Sequence, residues 1–530
     1  MTADRPASGA NERYRWTNAA VAAAAGVGAV AGSHAVAGAS PAFVAAPIAS
    51  LVVDATPGVV VTVAILFLGA LGDQVAFGVA LAATVGLFAV AADAGRRLGE
   101  RVGPPPVAAV AGALATALGF ALVGDAASSI AAGVGTAIVR SVATLATGDR
   151  SADDAGRRRL LGSLAAAAGL AVISSLLGRR RAPDVDRTLD DVSSAPAPSA
   201  PTDATPTPVE DGAMETSEPT PQPTTDPSAA ARKRLLAEAA EKSLDVDGLD
   251  PLVSPTFYEV DVNQINPRPT AEEWTLTVTG AVDKERTFSY EGITRMPAEN
   301  RFVTLRCVGD PIDGRQLDNA LWTGVPMADL LDAAGARGAY VMLRAVDGFY
   351  EEMPTAALRP GLLAYGMNDR LLPNSHGYPA RALVPGHWGE VNVKWLTEIE
   401  VLDEPATGYW EKRGWHGTGP VNTVAKLSAV NRSPEEIEVA GHAYAGTRGV
   451  DRVEVSTNGG RSWRRAALSD PLPGDDVWRQ WVSRYEPPVG EHEVVVRAVD
   501  GTGTVQPRAR ENAYPSGATG WVSRTVRPER

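Results

Sequence analysis

Cysteine is almost missing from this chain: Cys307 is the only one in 530 residues. A lone cysteine cannot close a disulfide within its own chain, and it gives no reading of the redox compartment. Histidine is scarce too, with six in all. The 49 Lys and Arg are outnumbered by 62 Asp and Glu, for a net charge of −13. Neutralising a phosphate backbone needs clustered Lys and Arg, so the balance argues against nucleic acid as a partner.

Apolar residues are plentiful and unevenly spread. Residues 17–178 are mostly Ala, Val, Gly and Leu, and nearly all of the net charge lies elsewhere. Stretches at 17–38, 74–94, 107–123, 127–146 and 160–178 are each close to the length needed to cross a bilayer core of about 30 Å. The apolar run at 39–73 is broken by three prolines and Asp54, and reads as a re-entrant pair or a sixth crossing. Lys and Arg accumulate on the cytoplasmic side of membrane proteins. Five spans with the N-terminus inside put Arg5, Arg13, Arg15, Arg96, Arg97, Arg101, Arg150 and Arg157–Arg159 in the cytoplasm, whereas a sixth crossing would put Arg96, Arg97 and Arg101 outside. Five is therefore the expected count, with the C-terminal part extracytoplasmic. GRRRLLGSLAAAAGLAV, from Gly156, also resembles a twin-arginine export signal at Arg157–Arg158, although three positive-inside arginines would look the same.

Residues 179–250 read as a linker, rich in Pro, Thr, Ser and Asp and too poor in large apolar residues to fold. Within it AAARKRLLAEAAEKSL has helical spacing and reads as a short exposed helix. Residues 251–424 predict a mixed α/β domain, with strands such as EWTLTVTG and RFVTLR beside the helical MADLLDAAG. Residues 425–530 carry short alternating strands separated by turn signals such as Asn458-Gly459-Gly460, the pattern of an immunoglobulin-type β-sandwich.

Cys307 ends the strand RFVTLR. Free cysteine is most often a small buried hydrophobe, so a core role and a ligand or nucleophile role are both open from position alone. The wider pattern resembles the sulfite oxidase family of molybdopterin-dependent oxidoreductases over roughly the last 280 residues. The motifs are TLRCVGD, LDNALWTGVPMADLLDAAG, LLAYGMNDRLLPNSHGYPARALVPGHWGEVNVKWLTEIEV and GYWEKRGW, in that order. VEVSTNGGRSWRRA with VVVRAVDGTGTVQ resembles the family's C-terminal dimerisation domain, which implies a homodimer. The resemblance makes Cys307 the thiolate ligand of molybdenum, a soft donor suited to a metal otherwise held by sulfur and oxo groups. It also makes His376, Arg381, Asn392, Val393 and Lys394 pterin-binding positions, with Asp347 a further contact. Arg offers a planar fork to phosphate and Lys a point charge.

This chain departs from the family on the substrate side. Sulfite oxidases follow the cysteine with an asparagine and arginines; here Val308, Gly309, Asp310 and Pro311 follow. The family's active-site tyrosine is replaced by Trp415, and FYEVDVNQINP lacks an arginine-asparagine-histidine run. Asp310, if it faces the metal, would repel an anion, while Arg315 or Arg413 could restore a positive field. The expected substrate is thus a small, neutral or partly apolar oxo donor or acceptor rather than sulfite, although sulfite oxidation proper, or an anchored binding protein with a vestigial pterin site, would carry the same motifs. Of the histidines only His34 lies in a span, and no C-x-x-C-H is present, so no haem is expected and electrons must pass to or from a separate partner.

Overall fold

The structure, a computed structural model, describes residues 7–57, 60, 70–102, 107–145, 152–180, 189, 228–263 and 265–528. It divides into two compact units, Met1–Asp184 with Asp261–Arg268, and Val185–Val260 with Pro269–Arg530.

The first unit is helical. Its described helices are α1 (Ala7–Ala37), α2 (Ala46–Ala55), α3 (Ala70–Val102), α4 (Val107–Val123), α5 (Ala126–Leu145) and α6 (Ala152–Arg180). Glycine lets α1 and α5 touch backbone to backbone: a Cβ on Gly135 would lie 2.0 Å from the Gly28 carbonyl oxygen, and one on Gly32 2.1 Å from that of Ala131. Such small-residue contacts are how helices associate in lipid, where burial of apolar surface gives no drive. Polar side chains inside the bundle pair with each other, Ser33 with Ser128 at 2.6 Å and His34 Nδ1 with Ser174 at 2.9 Å. Outward-facing residues such as Val90, Phe120, Val172 and Ile173 are apolar and exposed.

Among the described residues, four helical segments are long and apolar enough to cross a membrane by length and composition: Arg15–Ala37, Gln74–Arg101, Ala126–Leu145 and Arg157–Leu177. The expected fifth, Val107–Val123, is a shorter apolar helix of 17 residues. Between α1 and α3, Phe43, Val44 and Ala45 are buried against Ala29, Phe88 and Ala132. The choice between a re-entrant pair and a sixth crossing falls partly on residues 58–59 and 61–69, which lie outside the described residues.

Of the expected linker, residues 181–188 and 190–227 lie outside the described residues. The remainder is not an exposed tether. Helix α7 (Ala229–Lys242) begins at Ser228, whose side chain accepts from the Ala231 amide, and it buries Ala231, Arg232, Leu235 and Ala239. The buried face includes the ion pair of Arg232 with Asp369 at 2.6 Å, so spacing gives the helix but not its docking. The chain after it is also fixed: the Asp250 carbonyl accepts from Gln480 Nε2 at 2.7 Å and the Leu252 carbonyl from Trp478 Nε1 at 2.9 Å.

Two sheets form residues 269–424. In the first, β1 (Thr275–Gly280), β2 (Arg286–Ser289), β5 (Tyr340–Ala345), β6 (Tyr350–Pro354) and β10 (Leu396–Leu402) run in the order β2-β1-β10-β5-β6, with only β1 and β10 parallel. In the second, β3 (Glu299–Arg306), β4 (Leu317–Pro326), β7 (Leu362–Met367) and β8 (Arg370–Leu371) are antiparallel in that order, and β9 (Arg381–Leu383) pairs with β7. MADLLDAA forms a helix over Met327–Ala334, closed by Gly335 at φ +65°. After residue 420, two antiparallel sheets share one core of Val439, Val453, Val455, Trp481, Val494 and Val496.

Apart from Asp261–Arg268, the stretches 251–424 and 425–530, expected as separate domains, fall in the same compact unit. Thr304 in β3 is the junction. Its carbonyl accepts from Tyr444 Oη at 2.9 Å, its hydroxyl from the Trp478 amide at 3.0 Å, and its amide donates to the Asp476 carbonyl at 2.9 Å. Tyr444 also donates to the buried Asp476 carboxylate at 2.5 Å. Burial pushes that carboxyl up to about 6, with Tyr444 and the Gly386 amide opposing, and its Oδ2 makes no hydrogen bond of ordinary geometry among the described residues. Tyr444→Phe should therefore cost about 1–3 kcal/mol, the penalty for orphaning a buried acceptor. It should appear as faster hydrogen exchange of amides at the junction of β3 with the 476–478 loop, with exchange in the helical unit unchanged.

Candidate active site

Cys307 lies where β3 ends, in the loop 307–316 that returns to β4. The loop is tied by its own backbone: the Cys307 amide donates to the Gln316 carbonyl at 3.0 Å and the Asp310 amide to the Cys307 carbonyl at 3.1 Å. Asp310 Oδ1 accepts from the Gln316 amide at 3.0 Å. Gly389 packs so tightly here that a Cβ would lie 2.9 Å from Tyr258 Oη and 3.5 Å from Cys307 Cα. The thiol is pushed up to about 12, first by burial and then by the nearby Asp310 and Glu390 charges, with Arg306 opposing. Without a metal it is a neutral thiol, and a bound metal is what would make it a thiolate.

Asp310 does not face a substrate. It is fully buried, and Oδ2 accepts from Arg306 Nε at 3.2 Å and Lys426 Nζ at 2.5 Å. This corrects the expectation drawn from its position beside Cys307: two cations answer its charge. Arg306 is itself spent, donating to the Asn422 and Ala518 carbonyls, both at 3.2 Å, with its guanidinium 4.9 Å from the Trp388 ring. Of the two arginines considered from sequence, Arg315 is exposed, and Arg413 lies over the Tyr409 ring at 3.5 Å while donating to the Tyr409 carbonyl.

The expected pterin positions do come together. Arg381, in β9, donates to the His376 carbonyl at 3.2 Å and the Asn392 carbonyl at 2.8 Å, and Lys394 Nζ donates to the Ser375 carbonyl at 2.9 Å. Gly377, at φ +108°, allows the close approach: a Cβ there would lie 3.0 Å from Lys394 Cα. His376 is buried and pushed down to about 3 by burial and by the Arg381 and Lys394 charges, so it is neutral. Two cations crowded beside a neutral imidazole make a site suited to an anionic group such as a phosphate. Tyr258 joins this group to the cysteine, since its hydroxyl feels both Cys307 and Arg381. Asn392 lies with them, two residues before Lys394 in the chain and bonded to Arg381 through its carbonyl. Its side chain serves the backbone, accepting from the Val384 amide at 2.7 Å and donating to the Trp388 carbonyl at 3.0 Å. Val393 is buried, and its carbonyl accepts from the Ala382 amide at 2.9 Å. Asp347 sits in the turn between β5 and β6, where Oδ1 accepts from the Phe349 amide at 3.0 Å. That turn lies against Trp395 through the bond from the Val346 amide to the Trp395 carbonyl.

On the other side of Cys307 stand residues that sequence reasoning passed over. Glu351, Glu390 and Glu411 bring carboxylate oxygens within 4.8 Å of one another. Glu351 is fully buried, and burial together with Glu411 raises it strongly. Glu390 is pushed up to about 8 by burial and by Glu411, with the Gly417 amide partly opposing. Neither oxygen of Glu390 makes a hydrogen bond of ordinary geometry among the described residues. Trp415 is buried beside Trp410 and Tyr514, and its indole N–H has no partner there either. Glu390 and Glu411 lie inside the very stretches GHWGEVNVK and GYWEKRGW, but nothing in the sequence signals that the two meet Glu351.

This constellation, a cysteine-bearing loop beside a cationic cradle on one mixed and one antiparallel sheet, fits a molybdopterin-dependent oxidoreductase, and comparison with known proteins identifies it as one. Residues 262–410 match the oxidoreductase molybdopterin binding domain and residues 420–516 the Mo-co oxidoreductase dimerisation domain. The chain is 28% identical over 312 residues to sulfite oxidase of Arabidopsis thaliana (46% of this chain, 79% of that protein). It is 28% identical over 292 residues to mitochondrial sulfite oxidase of Homo sapiens (44% and 54%). It is 32% identical over 151 residues to the uncharacterized oxidoreductase YuiH of Bacillus subtilis (28% and 74%). The chain belongs to the sulfite oxidase family of molybdopterin oxidoreductases, which implies a molybdenum cofactor. The match spans about half the length of several relatives, 50% in the mouse mitochondrial enzyme.

The raised carboxyls give a pH prediction. A group whose folded pKa lies above its unfolded value of 4.5 contributes stability that is fully present below that value and lost as pH rises through the folded pKa. For Glu390 the loss runs from 4.5 to about 8, and for Glu351 it extends higher. Thermal unfolding temperature should therefore fall as pH rises from 5 to 9, and Glu351→Gln, which mimics the protonated acid, should flatten the fall above pH 7. An equally steep fall in that variant would show that Glu351 does not carry it.

Proposed function

We propose that this protein is a membrane-anchored oxidoreductase that moves an oxygen atom, with two electrons, on a small neutral substrate such as a sulfoxide. In this reading Cys307 binds molybdenum, while Arg381, Lys394 and His376 hold the pterin and its phosphate. Val393 and Asn392 contribute through their backbone, and the Asp347 turn closes the far side. The cofactor supplies the two-electron oxo-transfer chemistry when bound. The carrying observation is the surroundings of Cys307: among the described residues Arg306 and Lys426 are paired with Asp310, and burial raises Glu351 and Glu390 toward their protonated forms. A dianion such as sulfite needs positive charge to replace its water. A protonated carboxyl at Glu390 instead donates to the oxygen of a neutral S=O group, and Trp415 adds an apolar wall with a further N–H donor. Reduction of a sulfoxide consumes two protons and two electrons and releases the sulfide and water, the electrons coming from a separate partner protein rather than a haem in this chain.

The same reading places five spans with the N-terminus in the cytoplasm, the catalytic unit outside the cell membrane, and Arg157–Arg158 in a twin-arginine export signal. The two C-terminal sheets act as an immunoglobulin-type domain that pairs two copies. Exposed apolar helix surfaces and the arginines flanking the helices support the anchor.

The purified full-length protein should contain one molybdenum per chain by metal analysis, and Cys307→Ser should abolish turnover. Turnover of a neutral sulfoxide should exceed that of sulfite by about tenfold or more, since one uncompensated charge in such a site costs at least the 1.4 kcal/mol that a factor of ten represents. Efficient sulfite oxidation, inhibited by sulfate, would reverse the substrate assignment. Absence of molybdenum would leave an anchored binding protein.

A further inference from the structure

We propose that Lys426, which follows the strand Val424–Ala425 of the C-terminal sheets, is a positioning residue for the cysteine loop, fixing its closed form and holding one net positive charge behind the Cys307 sulfur. The inference rests on the reading of Cys307 as the metal ligand, and it gives the region matched as a dimerisation domain a part in the metal site.

The main chain of Lys426 is immobile. Its amide donates to the His442 carbonyl at 2.8 Å, and its carbonyl accepts from Trp481 Nε1 at 3.1 Å. Gly441 packs against that carbonyl, where a Cβ would lie only 1.9 Å away. From this fixed base Nζ reaches into loop 307–316 and makes two bonds, to Asp310 Oδ2 at 2.5 Å and to the Gly314 carbonyl at 2.7 Å. Asp310 passes the constraint on through the Gln316 amide, and the Gln316 carbonyl in turn holds the Cys307 amide. Neighbouring bonds from the same sheets reinforce the clamp: the Leu427 amide donates to Asp313 Oδ1 at 3.1 Å, and Arg524 pairs with Asp313 Oδ2 at 2.9 Å.

The charge count follows from the same contacts. Arg306 and Asp310 are fully buried and Lys426 is nearly so. With Lys426 protonated, two cations against one carboxylate leave +1 in a region where electrostatic interactions are strong, and although burial pushes Lys426 down to about 8, its contact with Asp310 opposes the loss of that charge. Asp313 and Arg524 cancel one another. A net positive charge next to a metal–thiolate favours the reduced metal, so removing Lys426 and removing Asp310 must act in opposite directions. A purely structural role for either residue would not produce opposed signs.

The test uses the full-length protein and reads two properties besides activity. In protein produced without cofactor, Cys307 is the only thiol, so its alkylation by iodoacetamide, with rates taken per thiolate from the pH–rate profile of each variant, reports access through the loop. Lys426→Met should speed alkylation about tenfold, the order expected for losing a charge-assisted hydrogen bond, while Lys426→Arg, which keeps the charge, should stay within about twofold of the parent. In molybdenum-loaded protein, Lys426→Met should lower the molybdenum midpoint potential and Asp310→Asn should raise it. Unchanged alkylation in Lys426→Met, or potentials that move together or not at all, would overturn the positioning role. If Lys426→Met does not fold, Lys426→Arg and Asp310→Asn decide by the same two readouts. Cys307→Ser separates this from the reading beneath it: an unaltered Mo(V) paramagnetic signal in that variant would remove Cys307 as ligand, whatever the Lys426 variants do.

Discussion

Everything around Cys307 depends on how one buried carboxylate is neutralised. Asp310 has no contact with water, and an unpaired carboxylate in such a place costs several kcal/mol. One of its cations, Arg306, comes from the end of the same strand, but the other, Lys426, comes from sheets that begin more than a hundred residues later. The cysteine loop is therefore electrically complete only when those sheets are docked. Arg306 extends the dependence, because its remaining donors go to carbonyls at Asn422 and Ala518. The division into a catalytic domain and a dimerisation domain, natural from sequence, does not describe how the site is held.

What sequence could show and what it could not divide along the same line. Alternation in RFVTLR gives β3 and the spacing in MADLLDAAG gives its helix and glycine stop, because those patterns are local. The cradle of His376, Arg381 and Lys394 was legible because its members lie within nineteen residues and match a known family order. Asp310 was misread because a carboxylate beside a cysteine says nothing about a lysine 116 residues away. Glu351, Glu390 and Glu411 were passed over for the same reason: each is an ordinary acid until three distant segments are superposed. Helix α7 was found by periodicity but judged exposed, since burial of its Arg232 depends on Asp369.

The two sides of Cys307 carry opposite electrostatic tasks, and Tyr258 and Gly389 stand between them. On one side Arg381 and Lys394 concentrate positive charge enough to hold His376 neutral, which suits a permanent anion. On the other, three carboxyls crowd together, and burial together with Glu411 raises Glu351 and Glu390. A phosphate-bearing cofactor is attracted to the first side and repelled by any ionised member of the second, so the pair of fields selects its orientation as well as its place. In the proposed reading the same arrangement separates cofactor from substrate: an anionic substrate would compete for the cradle, whereas near the sulfur the cations Arg306 and Lys426 are already paired with Asp310. In that reading, specificity follows from how positive charge is committed, with Arg306 and Lys426 paired to Asp310 and Arg413 folded onto Tyr409.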